Sequence, residues 1–416
     1  MPIGSEGKVV KADTLKDMYR VFAYEPLTRD DFGYYVKRES PRENFRLGLL
    51  CGGERYLLAG HSGCGKSTEL IRLSDELKDD FFVVYFSVEG ELDIDDLQCE
   101  DVLVAIGLKI FKEAKRLEED GLIEKLNTDI IDDFYEFLSD VTEIKVEERI
   151  KEKGVGAKLT YLLSFSGWLK SESRTRVEMR RKLEHRLSDL IERIDNMVSE
   201  AEIKTKKPVL VIVDDLEKIP RIDAAKKLFY EDIGVLLQIK PRMIYTIPIS
   251  LVLDPIFAQI KSRFDDDQTL PNIKIKDRDG NPSTGGKEFF ENFVNNRIGN
   301  KQLIEGEALD FAIEMSGGVL GQFVNIIRNS SIYALQDGDD CIKKRHIELY
   351  VHKERRSFDR FLSYGDIEFL KVIRDNKDAR DGNTLLMLLH SLSILEYQND
   401  NNWFDVNPII VPLLEK

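Results

Sequence analysis

The hydrophobic pattern predicts a parallel β-sheet between about residues 47 and 285. Long apolar runs, rich in β-branched and aromatic side chains, lie at Phe81–Val88, Val209–Val213 and Met243–Leu253. A shorter run, Tyr56–Ala59, precedes a glycine-rich stretch and then a helical pattern. Strands that are apolar on both faces are typical of parallel sheets that helices cover on both sides. The pattern therefore predicts an α/β fold.

A helical insert is predicted at residues 93–207, where the apolar positions recur at helical spacing. The helical patterns lie at Ile94–Leu117, about 129–153 and Thr175–Ala201. Between the second and third patterns lies Gly154–Lys170, an apolar stretch flanked by glycines, for which we predict a hairpin or flap. This stretch either packs against the core or contacts another subunit. The sequence leaves the role of the insert open.

The last third of the chain is predicted to be mostly helical. Residues 286–361 contain helical patterns separated by glycine and aspartate clusters, and we predict a helical lid. Residues 362–416 contain two helices, then two short strands joined by an Asn-Asp-Asn-Asn turn at 399–402. Two helices followed by such a hairpin indicate a winged helix.

The first 46 residues have little apolar periodicity and are predicted to form an extended arm with aromatic anchors. Such an arm often lies over the base in nucleotide-binding domains. Tyr34, Tyr35 and Arg42 are therefore candidates for adenine contact, although the two tyrosines are also suited to anchoring the arm in the core.

A phosphate-binding loop is predicted at Gly60–Thr68, GHSGCGKST, which fits the pattern G-x-x-x-x-G-K-[ST] between a strand and a helix. Glycines let backbone N–H groups surround a triphosphate, and the helix that starts at Lys66 adds the positive end of its dipole. Lys66 is expected to bridge the β- and γ-phosphates of ATP, and the Ser67 hydroxyl to bind Mg²⁺. The predicted nucleotide-binding residues are Gly60, His61, Ser62, Gly63, Cys64, Gly65, Lys66, Ser67 and Thr68.

Acidic residues follow the apolar strand Val209–Val213, at the strand end where open α/β sheets bind ligands. Asp214 is expected to hold Mg²⁺, directly or through water, and Asp215 to polarise the attacking water. Glu217 is a second candidate for that base. In the strand predicted from Met243, Thr246 is the preferred residue to orient the water.

Ser250 is the alternative to Thr246 in that strand.

Composition and charge narrow the function. With 42% hydrophobic and 33% charged residues, no long apolar run and no apolar core near its start, the chain is expected to be a cytosolic protein. The four cysteines show no metal-site or disulfide spacing. A net charge of −15 argues against a broad nucleic-acid surface. The candidate recognition helix at 385–395 contains no Lys or Arg, which favours a protein contact there.

Several segments together resemble a known family. The loop GHSGCGKSTEL, the strand VLVIVDDLEKI, the segments YTIPIS and IKSRF, the turn SGG and the terminal winged-helix pattern resemble the AAA+ and STAND group of P-loop ATPases. The similarity is greatest to prokaryotic members related to origin-recognition-type initiators, and it covers roughly residues 40–90 and 208–416. It implies that nucleotide lies between the α/β domain and the lid, often at a subunit interface. It also implies that Arg263 is an arginine finger, although the residues alone equally allow a solvated arginine paired with nearby acids.

Two positions depart from the family pattern. Asp215 stands where AAA+ members commonly have glutamate, which resembles the STAND pattern and weakens the case for fast hydrolysis. The lid arginine of the family usually follows the GG turn, but Val319-Leu-Gly-Gln322 occupies that place, and Arg328 is a weak substitute.

The sequence thus predicts a Mg²⁺-dependent ATPase that acts as a molecular switch, coupling nucleotide state to assembly of a homo-oligomer or to contacts with a protein partner. A role in defence or signalling is implied by the STAND-like resemblance alone. One alternative is a DNA-binding initiator or loader ATPase. The other is a regulatory subunit that binds ATP without hydrolysing it, which Asp215 permits.

Overall fold

The computed structural model describes residues 9–142, 155–379, 382–398 and 402–415. The end of the helix predicted at 129–153 and the tip of the hairpin predicted at 399–402 lie outside the described residues. Within these ranges, no helix has the length and apolarity needed to cross a membrane.

A five-stranded parallel sheet lies at the centre of the predicted nucleotide-binding part. Its strands are β1 (Arg55–Ala59), β2 (Phe82–Ser87), β3 (Val209–Asp214), β4 (Arg242–Thr246) and β5 (Asp266–Thr269). They lie in the order β2-β3-β4-β1-β5. Because neighbouring strands are parallel, β1, β3 and β4 have their carboxyl ends at the same end of the sheet. Every residue of β3 is buried, as expected of a strand with helices on both faces. The predicted α/β fold with a parallel sheet is confirmed.

Two details of the sheet differ from the prediction. The strand predicted at Met243–Leu253 ends at Thr246, because Pro248 has no N–H to donate and a short helix begins at Ile249. Strand β5 was missed because its sequence, DDQT, is polar. It occupies the edge of the sheet, where half-exposed polar side chains are tolerated.

Helices occupy the arm, both faces of the sheet and the insert. In chain order they are α1 (Leu15–Val21), α2 (Arg42–Leu50), α3 (Lys66–Leu77), α4 (Val88–Glu91), α5 (Cys99–Glu119), α6 (Thr128–Thr142), α7 (Val155–Ser171), α8 (Ser173–Leu183) and α9 (Leu187–Thr205). Alternate residues of β3 enter two apolar clusters: Val211 and Val213 pack with the insert helices, whereas Leu210 and Ile212 pack with α3.

The hairpin or flap predicted at Gly154–Lys170 is wrong, because the described part of this stretch, from residue 155 onward, is helix α7. Its residues Tyr161, Phe165 and Leu169 recur every four positions and have no exposed surface. These residues form one stripe that packs in one apolar cluster with α5 and α6, whereas Leu163 and Gly167 on the opposite face are exposed. The stretch therefore packs one face against the core, and the apolar Leu163 and Gly167 on its exposed face concealed the helical period.

The second half of the chain alternates short helices with the last strands and then becomes helical. The helices are α10 (Ile222–Lys226), α11 (Ile233–Leu236), α12 (Ile249–Val252), α13 (Phe257–Lys261), α14 (Thr284–Arg297), α15 (Gly306–Ser316), α16 (Leu320–Asp337), α17 (Lys344–Phe361), α18 (Tyr364–Asn376) and α19 (Gly382–His390). The predicted terminal strands pair antiparallel as β6 (Ile394–Gln398) and β7 (Asn402–Val406).

One apolar cluster joins the arm, the lid helices and the C-terminal segment. It contains Met18 of α1, Phe293 of α14, Phe323 of α16 and Leu370 of α18. The lid predicted at 286–361 and the winged helix predicted at 362–416 thus share a core. Their boundary, and the winged-helix assignment, stay predictions.

Candidate nucleotide-binding site

The predicted phosphate loop lies between β1 and α3, at the end of the sheet formed by the carboxyl ends of β1, β3 and β4. Gly60, Gly63 and Gly65 have φ values of 147°, 77° and 105°, in the left-handed region that favours glycine. A Cβ atom at Gly60 would lie 2.8 Å from the carbonyl oxygen of Leu270. Helix α3 begins at Lys66, so its N-terminal N–H groups face the loop. The shape of the loop therefore requires the glycines of the sequence pattern.

Lys66 is buried in this loop and makes three polar contacts. Its Nζ donates to the carbonyl oxygens of Gly60 and His61, each at 3.0 Å, and lies 3.0 Å from Glu217 Oε1. Burial alone would lower the pKa of Lys66, but the Glu217 carboxylate raises it above its usual range. Lys66 is therefore charged, and it is placed where phosphate oxygens could replace the carboxylate.

Three buried carboxylates, Asp214, Asp215 and Glu217, each place an oxygen within 4.8 Å of the others. Asp214 has no exposed surface; its Oδ2 accepts from the Tyr85 hydroxyl at 2.7 Å and its Oδ1 from the Asp215 N–H at 2.8 Å. The Ser67 hydroxyl lies close enough to Asp214 to oppose the rise in the pKa of that carboxyl. Burial, and then the charges of Glu217 and Asp215, raise the pKa of Asp214 to about 7. Clustered carboxylate oxygens beside a hydroxyl fit the ligand preference of Mg²⁺.

The two candidate bases make different contacts. Asp215 has a φ of 68°, and its carboxylate accepts from the Ser87 hydroxyl and lies 2.9 Å from Lys218 Nζ. Glu217 Oε1 faces Lys66, whereas its buried Oε2 has no hydrogen-bond partner among the described residues. Asp215 thus contacts a hydroxyl and an ammonium, whereas Glu217 contacts an ammonium alone. Asp215 Oδ1, like Glu217 Oε2, makes no hydrogen bond among the described residues.

Thr246 ends β4, directly beside Leu58 of the strand that leads into the phosphate loop. The side chain is fully buried, and its Oγ1 accepts the Leu216 N–H at 3.0 Å. Thr246 therefore lies beside the acidic strand end. Ser250 is also buried, but in α12 beyond the end of the strand.

A cavity of about 510 Å³ opens beside the loop, between the N-terminal arm and the first lid helices. This volume suits a nucleotide. Of the adenine candidates, Tyr34 and Tyr35 line the cavity, whereas Arg42 is paired with Glu69 at 3.0 Å. The lid residue Arg328 does not line it and lies instead over the Tyr19 ring.

Two arginines in the cavity wall were missed from the sequence. The half-buried Arg38 guanidinium donates to the Cys64 carbonyl of the loop at 2.5 Å and to the Pro271 carbonyl. Arg297 of α14 lies 3.5 Å from the centre of the Phe293 ring. Burial lowers the pKa of both arginines, that of Arg297 to about 9. Neither residue belongs to a sequence motif, so no pattern identified them.

The loop also contacts the lid and the C-terminal hairpin. The Gly321 N–H of α16 donates to the Gly63 carbonyl at 2.8 Å. The Glu396 N–H of β6 donates to His61 Nε2, also at 2.8 Å. Burial, together with the charge of Lys66, lowers the pKa of His61 to about 3, so the ring is neutral and Nε2 can accept.

Arg263 is exposed at the end of the sheet opposite the phosphate loop. It precedes β5, whose first residue, Asp266, pairs with Tyr56 near the start of β1. Since β1 has five residues, roughly 15 Å of strand separate this end of the sheet from the phosphate loop. The chain therefore does not bring Arg263 to its own loop.

The glycine-dependent loop between strand and helix, the parallel sheet and the acidic strand end define the chain as a protein with a P-loop nucleotide-binding fold. The remaining site residues lie around this loop, except Arg263.

Comparison with solved structures returns similar folds at low identity. The ORC2 protein of Aeropyrum pernix, solved with ADPNP and ADP, is 12% identical, with 95% of this chain and 97% of that chain covered and a TM-score of 0.43. A Walker-type ATPase of Pyrococcus abyssi is 16% identical, with 95% and 100% covered and a TM-score of 0.42. The RuvB branch-migration motor of Thermotoga maritima is 13% identical, with 91% and 95% covered and a TM-score of 0.39.

No protein-family model matches the sequence, and no curated protein matches it. At these identities and scores, structural similarity assigns no function to the chain.

Proposed function

We propose that the chain binds ATP with Mg²⁺ and hydrolyses it, and that the bound nucleotide controls assembly or contacts with a protein partner. The observation that carries this proposal is the buried Lys66 ammonium in a glycine loop, 3.0 Å from one of three clustered carboxylates and beside a cavity of about 510 Å³.

Each site residue has a role in this proposal. The backbone N–H groups of the loop and Lys66 bind the phosphates. Ser67 and Asp214 would hold Mg²⁺, which neutralises phosphate charge when bound. Thr246 positions the Leu216 backbone at the acidic strand end through its hydrogen bond. Asp215 or Glu217 polarises water.

Two hydrogen bonds support a switch. Gly63 and His61 lie in the phosphate loop and contact α16 and β6, respectively. A nucleotide that changes the loop conformation therefore acts on both contacts. The exposure of Arg263 at the end of the sheet far from its own loop supports our proposal that this residue acts on a second copy of the chain.

The test is the mass in solution by light scattering without nucleotide, with ADP and with a non-hydrolysable ATP analogue, together with phosphate release. We expect a larger species with the ATP analogue and turnover per chain that rises with protein concentration. A monomer in every state, with no phosphate release, would contradict the switch and favour a regulatory ATP-binding subunit. A DNA-binding initiator stays the other alternative, and a salt-dependent affinity for duplex DNA would favour it.

A further inference from the structure

The Glu217 carboxylate is the ion-pair partner of the phosphate-loop lysine. Glu217 Oε1 lies 3.0 Å from Lys66 Nζ, and the two side chains are 5% and 2% exposed. The other contacts of this ammonium are the carbonyls of Gly60 and His61. A phosphate that binds Lys66 competes with this buried ion pair, because three contacts already occupy the three N–H groups of an ammonium.

The alternative base, Asp215, has two partners of its own, although its Oδ1 takes part only in an ion pair and makes no hydrogen bond among the described residues. Its carboxylate accepts from the Ser87 hydroxyl of β2 and pairs with Lys218, which in turn pairs with Glu89. The positive φ of Asp215 fixes the turn that follows β3. These contacts give Asp215 a structural role in holding the turn against β2.

The second oxygen of Glu217 is free to accept a hydrogen bond. Oε2 is buried and has no partner within the described part of the chain. Glu217 lines both the large cavity and a second one of about 160 Å³, which is also lined by Gly60, Ser62 and Pro248. Several water molecules fit this volume, and a buried acceptor without a protein partner is where an ordered water binds.

We propose that Glu217, and not Asp215, accepts the hydrogen bond of the attacking water. The inference rests on the proposed function. When phosphate oxygens replace Glu217 as partners of Lys66, the carboxylate is released beside the γ-phosphate, so nucleotide binding itself frees the base. The water oxygen then bonds to the γ-phosphorus, the bond from that phosphorus to the bridging oxygen breaks, and its electron pair stays on ADP. Both water protons end on inorganic phosphate, one of them after passing through Glu217.

Glu217→Gln in the full chain tests this assignment, with calorimetric titration of Mg-ATP and single-turnover phosphate release as readouts. We expect phosphate release to fall by about 10²–10⁴-fold, the usual contribution of a general base. We also expect ATP to bind about tenfold more tightly, because in this variant Lys66 does not have to break an ion pair with a buried carboxylate when it binds phosphate. A residue with a merely structural role would not combine lost turnover with tighter binding.

Glu89→Gln is the matched control, since Glu89 pairs with the same Lys218 network but is 57% exposed. It should retain both affinity and turnover. Turnover of Glu217→Gln within tenfold of the wild type, or a loss of turnover accompanied by weaker ATP binding, would overturn the assignment while leaving the nucleotide site intact. If the wild type itself bound no Mg-ATP, both this inference and the proposed function would fail.

Discussion

Replacing His61 with alanine should loosen the contact between the phosphate loop and the C-terminal hairpin. His61 is 2% exposed, and its Nε2 accepts the buried Glu396 N–H at 2.8 Å. Alanine leaves that N–H without an acceptor, which costs about 1–3 kcal/mol of folding free energy. Loss of the buried ring adds a packing term of the same order. The expected loss is therefore about 2–5 kcal/mol.

Urea unfolding followed by circular dichroism measures this loss. His61→Gln is the conservative variant, because its amide oxygen can reach the position of Nε2 and restore the acceptor. His185→Ala is the matched control, since His185 is exposed on the insert. We expect His61→Gln to recover most of the stability and His185→Ala to change it by less than about 0.5 kcal/mol.

The pH dependence of the free energy of unfolding distinguishes the contribution of the His61 ring nitrogen from that of packing. Because the pKa of His61 is about 3 in the folded chain against 6.5 for a free histidine, only the unfolded chain binds this proton between those values. The stabilising contribution is therefore fully present above pH about 6.5 and is lost as the pH falls toward 3, by up to about 1.4 kcal/mol per pH unit. His61→Gln should lack this component. Equal stability of His61→Ala and wild type, with identical pH profiles, would refute the reasoning.

Two further predictions concern the interface and the insert. If Arg263 acts in trans, Arg263→Ala should keep its affinity for Mg-ATP but lose about 10³-fold in turnover. Lys261→Ala, at the same exposed end of the sheet, should retain its turnover. An Arg263→Ala variant with normal turnover would show that this arginine is only a solvated surface residue. Arg180→Leu should lower the free energy of unfolding by about 3–5 kcal/mol, because it removes the guanidinium that lies 3.1 Å from the buried Asp101 carboxylate. Arg181 is exposed, so Arg181→Ala should lower it by less than about 1 kcal/mol. Urea unfolding measures both values. Equal losses for the two arginine variants would argue against a buried ion pair.

The phosphate loop could be predicted because its chemistry is local. Gly60, Gly63 and Gly65 provide the positive φ values within a few residues of Lys66, and the apolar strand β3 carries Asp214 to the same edge. Short-range patterns with fixed spacing therefore located these residues. Their roles in binding and hydrolysis stay predictions.

Other features depend on contacts between distant segments. His61 and Glu396 are 335 residues apart in sequence and meet only in the folded chain. Arg38 belongs to an arm without clear periodicity, so its approach to the loop carbonyl of Cys64 has no sequence signal. Helix α7 was missed because its exposed face carries Leu163 and Gly167, so the sequence does not show the contrast between the buried and the exposed face.

The most direct test of the nucleotide site is calorimetric titration of Mg-ATP into the wild type, Lys66→Ala and Lys78→Ala. Lys78 is the matched control, because it directly follows the same helix and is 43% exposed in an ion pair with Asp75. We predict one site per chain, an affinity reduced by about 10²-fold or more in Lys66→Ala, and no change in Lys78→Ala. An unchanged affinity in Lys66→Ala would contradict the assignment of this loop as the ATP site.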